Sequence, residues 1–158
     1  PVRLRKIEMK SKTIATWLAF LFGLFGVHRF YLRGIKDVWG WLHVPFALAG
    51  IVGVMRFNNL GQNDVLAWVL MPIFGITLGA ACLTAIIYGL MAPNKWNALF
   101  NPGAPDDLPQ ARTTWGAFIG LALALMIGAA AVLSSVALSF QGYFQAQVAA
   151  GRAISQDY

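Results

Sequence analysis

Two long apolar segments constrain the fold of this chain more than any other feature. Residues Val65–Ala92 and Thr113–Phe140 each run for 28 residues without a charged side chain. A helix needs roughly 20 mostly apolar residues to cross about 30 Å of hydrocarbon, so each segment is long enough to span a membrane. The chain is 58% hydrophobic and only 11% charged, whereas about a quarter of the residues of soluble domains are charged. The sequence therefore predicts an all-α integral membrane protein.

Two shorter apolar segments come first in the chain. Val38–Phe57 has the length of one span, but Ile14–Val27 would cover only about 21 Å as a helix. Whether this first segment crosses fully or ends in the interface stays open. The sequence predicts about four transmembrane helices, an N-terminal helical hairpin followed by two longer helices. The predicted boundaries are a basic arm at 1–12, the hairpin at 13–57, a loop at 58–64, a third helix at 65–92, a Pro-rich loop at 93–112, a fourth helix at 113–140 and a polar tail at 141–158.

The positive charge is concentrated at the start of the chain, where five of the twelve Lys and Arg residues lie within the first twelve positions. A basic segment directly before an apolar one is typical of contact with lipid headgroups, so we expect no nucleic-acid partner. With four spans, seven Lys and Arg residues fall on the side of the arm and tail, and five on the other. The positive-inside rule then predicts that both termini lie in the cytoplasm. We expect the membrane to be the inner membrane of a bacterium.

Small residues recur at helical spacing in both long segments. One set of four lies every fourth residue in the last segment, and a shorter pair lies in the segment before it. Small residues at this spacing let helix backbones approach closely in lipid. The partner is open at this stage, because it is either another helix of the chain or another subunit. The residues are Gly116, Gly120, Ala124 and Gly128, with Gly75 and Gly79.

The segment from Lys10 to Tyr31 ends in two glycines, Gly23 and Gly26, followed by the string H-R-F-Y-L. This pattern resembles the two-transmembrane-helix (TM-2) domain family over about residues 10–55. The resemblance implies a hairpin of two membrane helices joined by a short polar turn, in a family whose function is mostly undetermined. The family usually continues with L-G and a basic residue, whereas Arg33 precedes the glycine here.

The turn motif itself consists of His28, Arg29, Phe30 and Tyr31. One interpretation is a structural turn that fixes the hairpin, with Arg29 pairing with Asp37 or with a lipid phosphate. The other interpretation is a docking surface for a partner protein. The sequence favours the structural turn and leaves both open.

Candidates for chemistry are few. His28 and His43 are weak candidates for a haem or metal site, because they would lie at similar depth on neighbouring helices. All six acidic residues fall outside the apolar segments, and the single cysteine, Cys82, is predicted to be a small packing residue. We therefore expect a non-enzymatic protein with no cofactor.

These features favour an accessory or assembly subunit of a larger membrane complex, respiratory or photosynthetic. Its partners would be the lipid bilayer and other membrane protein subunits. A small oligomeric transporter or channel is one alternative, although such proteins normally carry an ionisable group at mid-membrane. A haem-binding electron carrier that uses the two histidines is the other.

Overall fold

The computed structural model describes residues 9–61, 64–105 and 107–156, the side chains of 153 and 156 excepted. Three helices are long and apolar enough to cross a membrane, namely α3, α4 and the helix that contains α6. No strand occurs among these residues, so the prediction of an all-α membrane protein is confirmed. The elements are α1 at Lys12–Phe22, α2 at Val27–Arg33, α3 at Val38–Leu60, α4 at Val65–Leu90, α5 at Pro93–Phe100 and α6 at Trp115–Gln156.

The first apolar segment forms a hairpin that enters and leaves at one end of the helix bundle. Lys12, at the start of α1, donates from Nζ to the carbonyl of Met91, just past the end of α4, at 2.7 Å. A Cβ placed on Gly23, just after α1, would lie 2.9 Å from the Cβ of Ala81. Ala81 is nine residues before the last residue of α4, or about 14 Å along its axis. The chain then reverses at Gly26, whose φ is +73°.

Helix α2 then returns toward the end of α4. Together α1 and α2 form a hairpin that reaches only about 14 Å along α4, and we call it the half-depth hairpin. The Tyr31 hydroxyl accepts a bond of 2.8 Å from the backbone N–H of Ser11, which is the N-cap of α1. Both ends of the hairpin therefore lie near the end of α4. Non-helical backbone at membrane depth is tolerated when protein covers it, and here Ala81 and Gly40 cover the Gly23–Gly26 reversal.

The remaining helices run antiparallel to their neighbours. Gly50 of α3 lies against Phe74 of α4, and Gly142 of α6 lies against Trp68. The bundle thus has a loop end, which holds Lys10–Lys12, the 34–37 turn and the connection from α4 to α6. It also has a tail end, which holds Gly61, Asp64 and Gly142, and beyond which α6 continues to Gln156. The prediction that both termini share one side assumed that the first segment crosses. The structure instead places Lys12 and Gln156 at opposite ends.

Other boundaries also differ from the predicted ones. The turn motif at His28–Tyr31, predicted to join the two helices of the hairpin, lies inside α2, and a short turn at 34–37 follows it. The Pro-rich segment contains α5, and the segment predicted as a polar tail continues α6 without a break to Gln156. The tail is rich in Ala and Gln, which favour helix.

Small side chains fill the centre of the bundle. Ala19, Cys82, Ala85 and Ala124 form one buried cluster, which agrees with the packing role predicted for Cys82. The small residues singled out in the sequence lie in contacts within the chain, where added Cβ atoms would meet a neighbouring helix. These contacts join Gly75 to Ser135, Gly79 to Val132, Gly128 to Cys82, Gly120 to Trp17 and Gly116 to Thr13.

Candidate functional site

The turn motif is held by an ion pair across the loop end. Arg29 Nε lies 2.7 Å from Asp37 Oδ2, which confirms the predicted pair. The same carboxylate accepts a bond of 3.2 Å from the N–H of Trp39 and so caps the N-terminus of α3. Its bond to Arg29 holds the pKa of Asp37 below its usual range. One acidic side chain therefore closes the turn and starts the next helix.

The other three residues of the motif are also engaged within the chain. Phe30 packs on Gly40, which has no side chain to obstruct it, and its ring centroid lies 5.2 Å from that of Trp41. Tyr31 bonds to Ser11, and His28 is buried. This geometry is that of a structural turn, in which Arg29, Phe30 and Tyr31 stay partly exposed and His28 is buried.

A second set of contacts, which we call the N-terminal clasp, fixes Lys10–Lys12 to the loop that follows α4. The side-chain amide of Asn101 accepts from Lys10 N at 2.7 Å and donates to Lys10 O at 3.1 Å. Trp96 Nε1 donates to the same carbonyl at 3.0 Å. Trp96 is completely buried, whereas Trp39, Trp41 and Trp115 are exposed near helix ends.

Lys12 is the last residue of the clasp segment, and it is completely buried. Its Nζ donates to Met91 O and to Thr113 Oγ1, both at 2.7 Å, and Thr113 donates in turn to Gly89 O. These carbonyls lie at the C-terminal end of α4, where the helix dipole favours a cation. Burial lowers the pKa of Lys12. The clasp joins residues about 80 to 100 positions apart, and no local sequence pattern indicates it.

The structure brings the two candidate histidines together. The ring centroids of His28 and His43 are 5.6 Å apart in an edge-on arrangement, and Tyr88 packs on His28 at 5.9 Å. His43 Nδ1 lies 2.7 Å from the carbonyl of Trp39, while His28 Nδ1 is buried without a hydrogen-bond partner in the described part of the chain. Rings in edge contact leave no room between them for a porphyrin.

A metal site has equally little support here. Within residues 9–61, 64–105 and 107–156, no group of three or more His, Cys, Asp or Glu side chains comes together. Two imidazoles alone do not complete a four-ligand structural site. The pair therefore packs as an edge-on aromatic contact.

The burial of His28 predicts a specific pH dependence. Burial, followed by the nearby charges of His43 and Arg29, lowers the pKa of His28 to about 4. The unfolded chain would take up the proton near pH 6.5. Stability present above pH 6.5 should therefore fall as the pH drops from 6.5 to about 4. The total loss should be about 3 kcal/mol, since one pKa unit corresponds to about 1.4 kcal/mol.

The measurement is the free energy of unfolding of the micelle-bound protein, titrated with a denaturing detergent at several pH values. His28→Phe should flatten the profile across this window, and His43→Gln should retain most of the slope. An unchanged slope in His28→Phe would show that another group carries the proton.

Sequence reasoning missed an internal repeat that contains the Arg and Phe of the turn motif. Residues 23–45 and 50–72 share ten identical positions at an offset of 27 residues, in the pattern G-x2-G-V-x-R-F-x3-G-x2-D-V-x2-W-x3-P. Comparison of the chain with itself, which is the first step in finding repeats, reveals this pattern.

The second copy reproduces the geometry of the first at the tail end. Arg56 Nε lies 2.7 Å from Asp64 Oδ2, and Asp64 caps α4 by accepting from Leu66 N at 3.3 Å. The ring centroids of Phe57 and Trp68 lie 5.4 Å apart, and those of Phe30 and Trp41 lie 5.2 Å apart. Equivalent Arg–Asp pairs thus lie at both ends of α3.

The glycine of each turn is also equivalent. Gly34 and Gly61 have φ of +88° and +75°, and their N–H groups bond to the carbonyls of Phe30 and Phe57. The copies differ at the glycine before the Arg. Gly26 has positive φ and ends its helix, whereas Gly53 stays within α3. This difference explains why only the first copy folds back.

Three apolar helices of spanning length, a half-depth hairpin and a core of small residues define a helical membrane protein that crosses the bilayer more than once. The family model of the TM2 domain matches residues 8–58. The N-terminal third of the chain is therefore a TM2 domain, which comprises α1, α2 and most of α3, and the resemblance seen in the sequence is confirmed. No curated protein and no solved structure gives a significant match.

Proposed function

We propose that this protein is a non-enzymatic accessory or assembly subunit, bound laterally to a larger complex of the bacterial inner membrane. The supporting observation is the surface of its spans. In each of the three spans, only 22% of an 18-residue apolar stretch is buried within the chain. Large side chains such as Trp41, Phe46 and Met55 of α3 point outward. A respiratory or photosynthetic complex is the proposed host.

The polar groups of the loop end support the same proposal. Those of the turn motif and the clasp bond to one another, so they offer few groups for chemistry or recognition in water. What remains for partners is the apolar flank of the helices. Close packing and complementary shape, rather than a hydrophobic driving force, would hold such a partner in lipid.

The distribution of charge supports a specific orientation. Of the nine Lys and Arg residues in the described part of the chain, seven lie at the loop end and only Arg56 and Arg152 lie at or beyond the tail end. The positive-inside rule places the loop end in the cytoplasm. The C-terminal part of α6 would then lie on the opposite side. The seven are Lys10, Lys12, Arg29, Arg33, Lys36, Lys95 and Arg112.

The alternatives have weaker support. Helices α3, α4 and α6 contain no Asp, Glu or Lys, and Arg56 is bound to Asp64. A transporter normally places an ionisable residue at mid-membrane to couple or select its substrate. The contact between His28 and His43 leaves no space for a haem between the rings, which weakens the electron-carrier hypothesis.

The test is a pull-down of the tagged protein at native expression level in mild detergent, followed by a native gel and mass spectrometry. We expect co-migration with one large complex at fixed stoichiometry. An unrelated three-span protein with the same tag and expression level is the control. Migration as a monomer, or as an oligomer of this chain alone, would overturn the proposal.

A further inference from the structure

One stripe of uncharged and mostly apolar side chains, which we call the α6 stripe, runs along most of α6. Its members recur every three or four residues over 30 positions, and all of them are exposed. This spacing keeps them on one face of a helix over about 44 Å. They are Leu125, Ala129, Val132, Val136, Phe140, Tyr143, Gln147, Ala150 and Ile154.

The stripe continues beyond the rest of the protein. Gly142 lies against Trp68, near the start of α4. From Tyr143 onward α6 extends for 14 more residues, about 21 Å, and every described side chain there is exposed. Trp115–Phe140 already exceeds the roughly 30 Å of a hydrocarbon core. Lipid can therefore cover the first part of the stripe but not a helix that continues out of the bilayer.

We propose that a second copy of this chain covers the stripe, so that two α6 helices pair along the membrane normal. Copies inserted in one bilayer share an orientation, so their projecting helices run parallel and present the same face to each other. Arg152 is the only charged residue in the described part of the projecting helix, and it lies well off the stripe. No like charges therefore meet at the two-fold axis.

Gln147 is the one polar member of the stripe, and it is compatible with this pairing. Its side-chain amide has both donors and an acceptor, so two copies that meet at a two-fold axis can hydrogen-bond to each other. A single polar position in an otherwise apolar helix seam fixes the register of the two helices at some cost in stability. The pairing therefore has a defined register, with equivalent residues opposite one another.

The exposed area is of the size that a dimer needs. Phe140 and Tyr143 of the stripe and the adjacent Phe144 are each 60–62% exposed, which leaves on the order of 100 Å² of each aromatic residue for contact. Ile154 is 63% exposed. Together with the part of the stripe inside the membrane, this surface approaches the roughly 800 Å² per partner of a standard interface.

A groove on the same face gives independent support. Between α4 and α6 lies an apolar groove of about 620 Å³, whose wall includes Leu125, Ala129 and Val132 of the stripe. Gly79 and Gly128 also line it. Both glycines already pack against this chain's own Val132 and Cys82, so the groove offers a partner its apolar wall, which can receive side chains of the partner's α6.

Disulfide trapping tests this pairing in purified protein reconstituted in phosphatidylcholine–phosphatidylglycerol vesicles. In a Cys82→Ala background, Tyr143→Cys and Ile154→Cys lie on the stripe, and Ala149→Cys lies on the far side of the helix as the matched control. We expect mild oxidation to convert most of the first two variants to dimers, at least five-fold more than the control. Equal trapping at all three positions, or none, would overturn the pairing.

A second measurement keeps the test independent of disulfide geometry. Tyr143→Lys should convert the dimer to a monomer in light scattering of the detergent-solubilised protein, while Ala149→Lys should leave it dimeric. A monomeric parent protein in which a fluorophore at position 143 is quenched by spin-labelled lipid would overturn the pairing and show instead that the helix lies on the bilayer. Because no host is present in these experiments, their outcome is independent of the accessory-subunit proposal.

Discussion

Replacing Gly26 with alanine is expected to destabilise the protein by about 2–5 kcal/mol. Two effects add at this position. The residue has φ of +73°, where a side chain costs roughly 1–2 kcal/mol. An added Cβ would also overlap the carbonyl of Gly40 in α3, and overpacking typically costs roughly 1–3 kcal/mol. Because both partners are backbone, no side chain can move aside, and the half-depth hairpin should open.

The loss would be measured as the free energy of unfolding in a denaturing-detergent titration, with protease accessibility of Ser11–Lys12 as a second readout. Gly34→Ala is the matched control, since Gly34 also has positive φ but no atom lies within 4 Å of its Cβ position. Its φ of +88° and ψ of 167° lie in a region that glycine almost alone adopts, so it should lose roughly 1–3 kcal/mol from the backbone conformation and nothing from overlap. Equal losses in the two variants would mean that the close approach of Gly26 to Gly40 does not stabilise the hairpin.

Cysteines at positions 9 and 94 are expected to react with a membrane-impermeant thiol reagent from the same side of the membrane, and a cysteine at position 145 only from the other. The half-depth hairpin places Met9 and Asn94 together at the loop end, and Gln145 lies past the tail end. A first segment that crossed the bilayer would pair Met9 with Gln145 instead. The difference is all-or-none, because a charged reagent does not cross hydrocarbon.

The experiment uses Met9→Cys, Asn94→Cys and Gln145→Cys in a Cys82→Ala background, in intact spheroplasts and in inside-out vesicles. Positions 9 and 94 should label only in inside-out vesicles, because the loop end carries most of the positive charge. Labelling of positions 9 and 145 from one side would contradict the half-depth hairpin. Labelling of all three in the reverse preparations would retain the hairpin and reverse the orientation.

Much of the candidate site could be predicted from the sequence. The H-R-F-Y string after two glycines indicated the TM2 domain, and the pair between Arg29 and Asp37 followed from their charges and separation. The equivalent pair between Arg56 and Asp64 was also visible, as one half of the repeat at an offset of 27 residues. The N-terminal clasp was not visible in the sequence, because Asn101 and Thr113 are common polar residues whose partners lie about 90 and 100 positions away.

The sequence by itself determined that this chain is helical and lies in a membrane, because charge-free apolar segments of span length leave no other way to satisfy the backbone in lipid. The sequence also determined the two turns, because the Arg and Asp of each turn form an ion pair only eight positions apart, with a glycine between them. Tertiary structure alone decided the path of the first segment. A helix of that length and composition could cross a membrane or return, and the backbone contact between Gly26 and Gly40 selects the return. That contact joins two elements in space, and neither residue's local sequence encodes it.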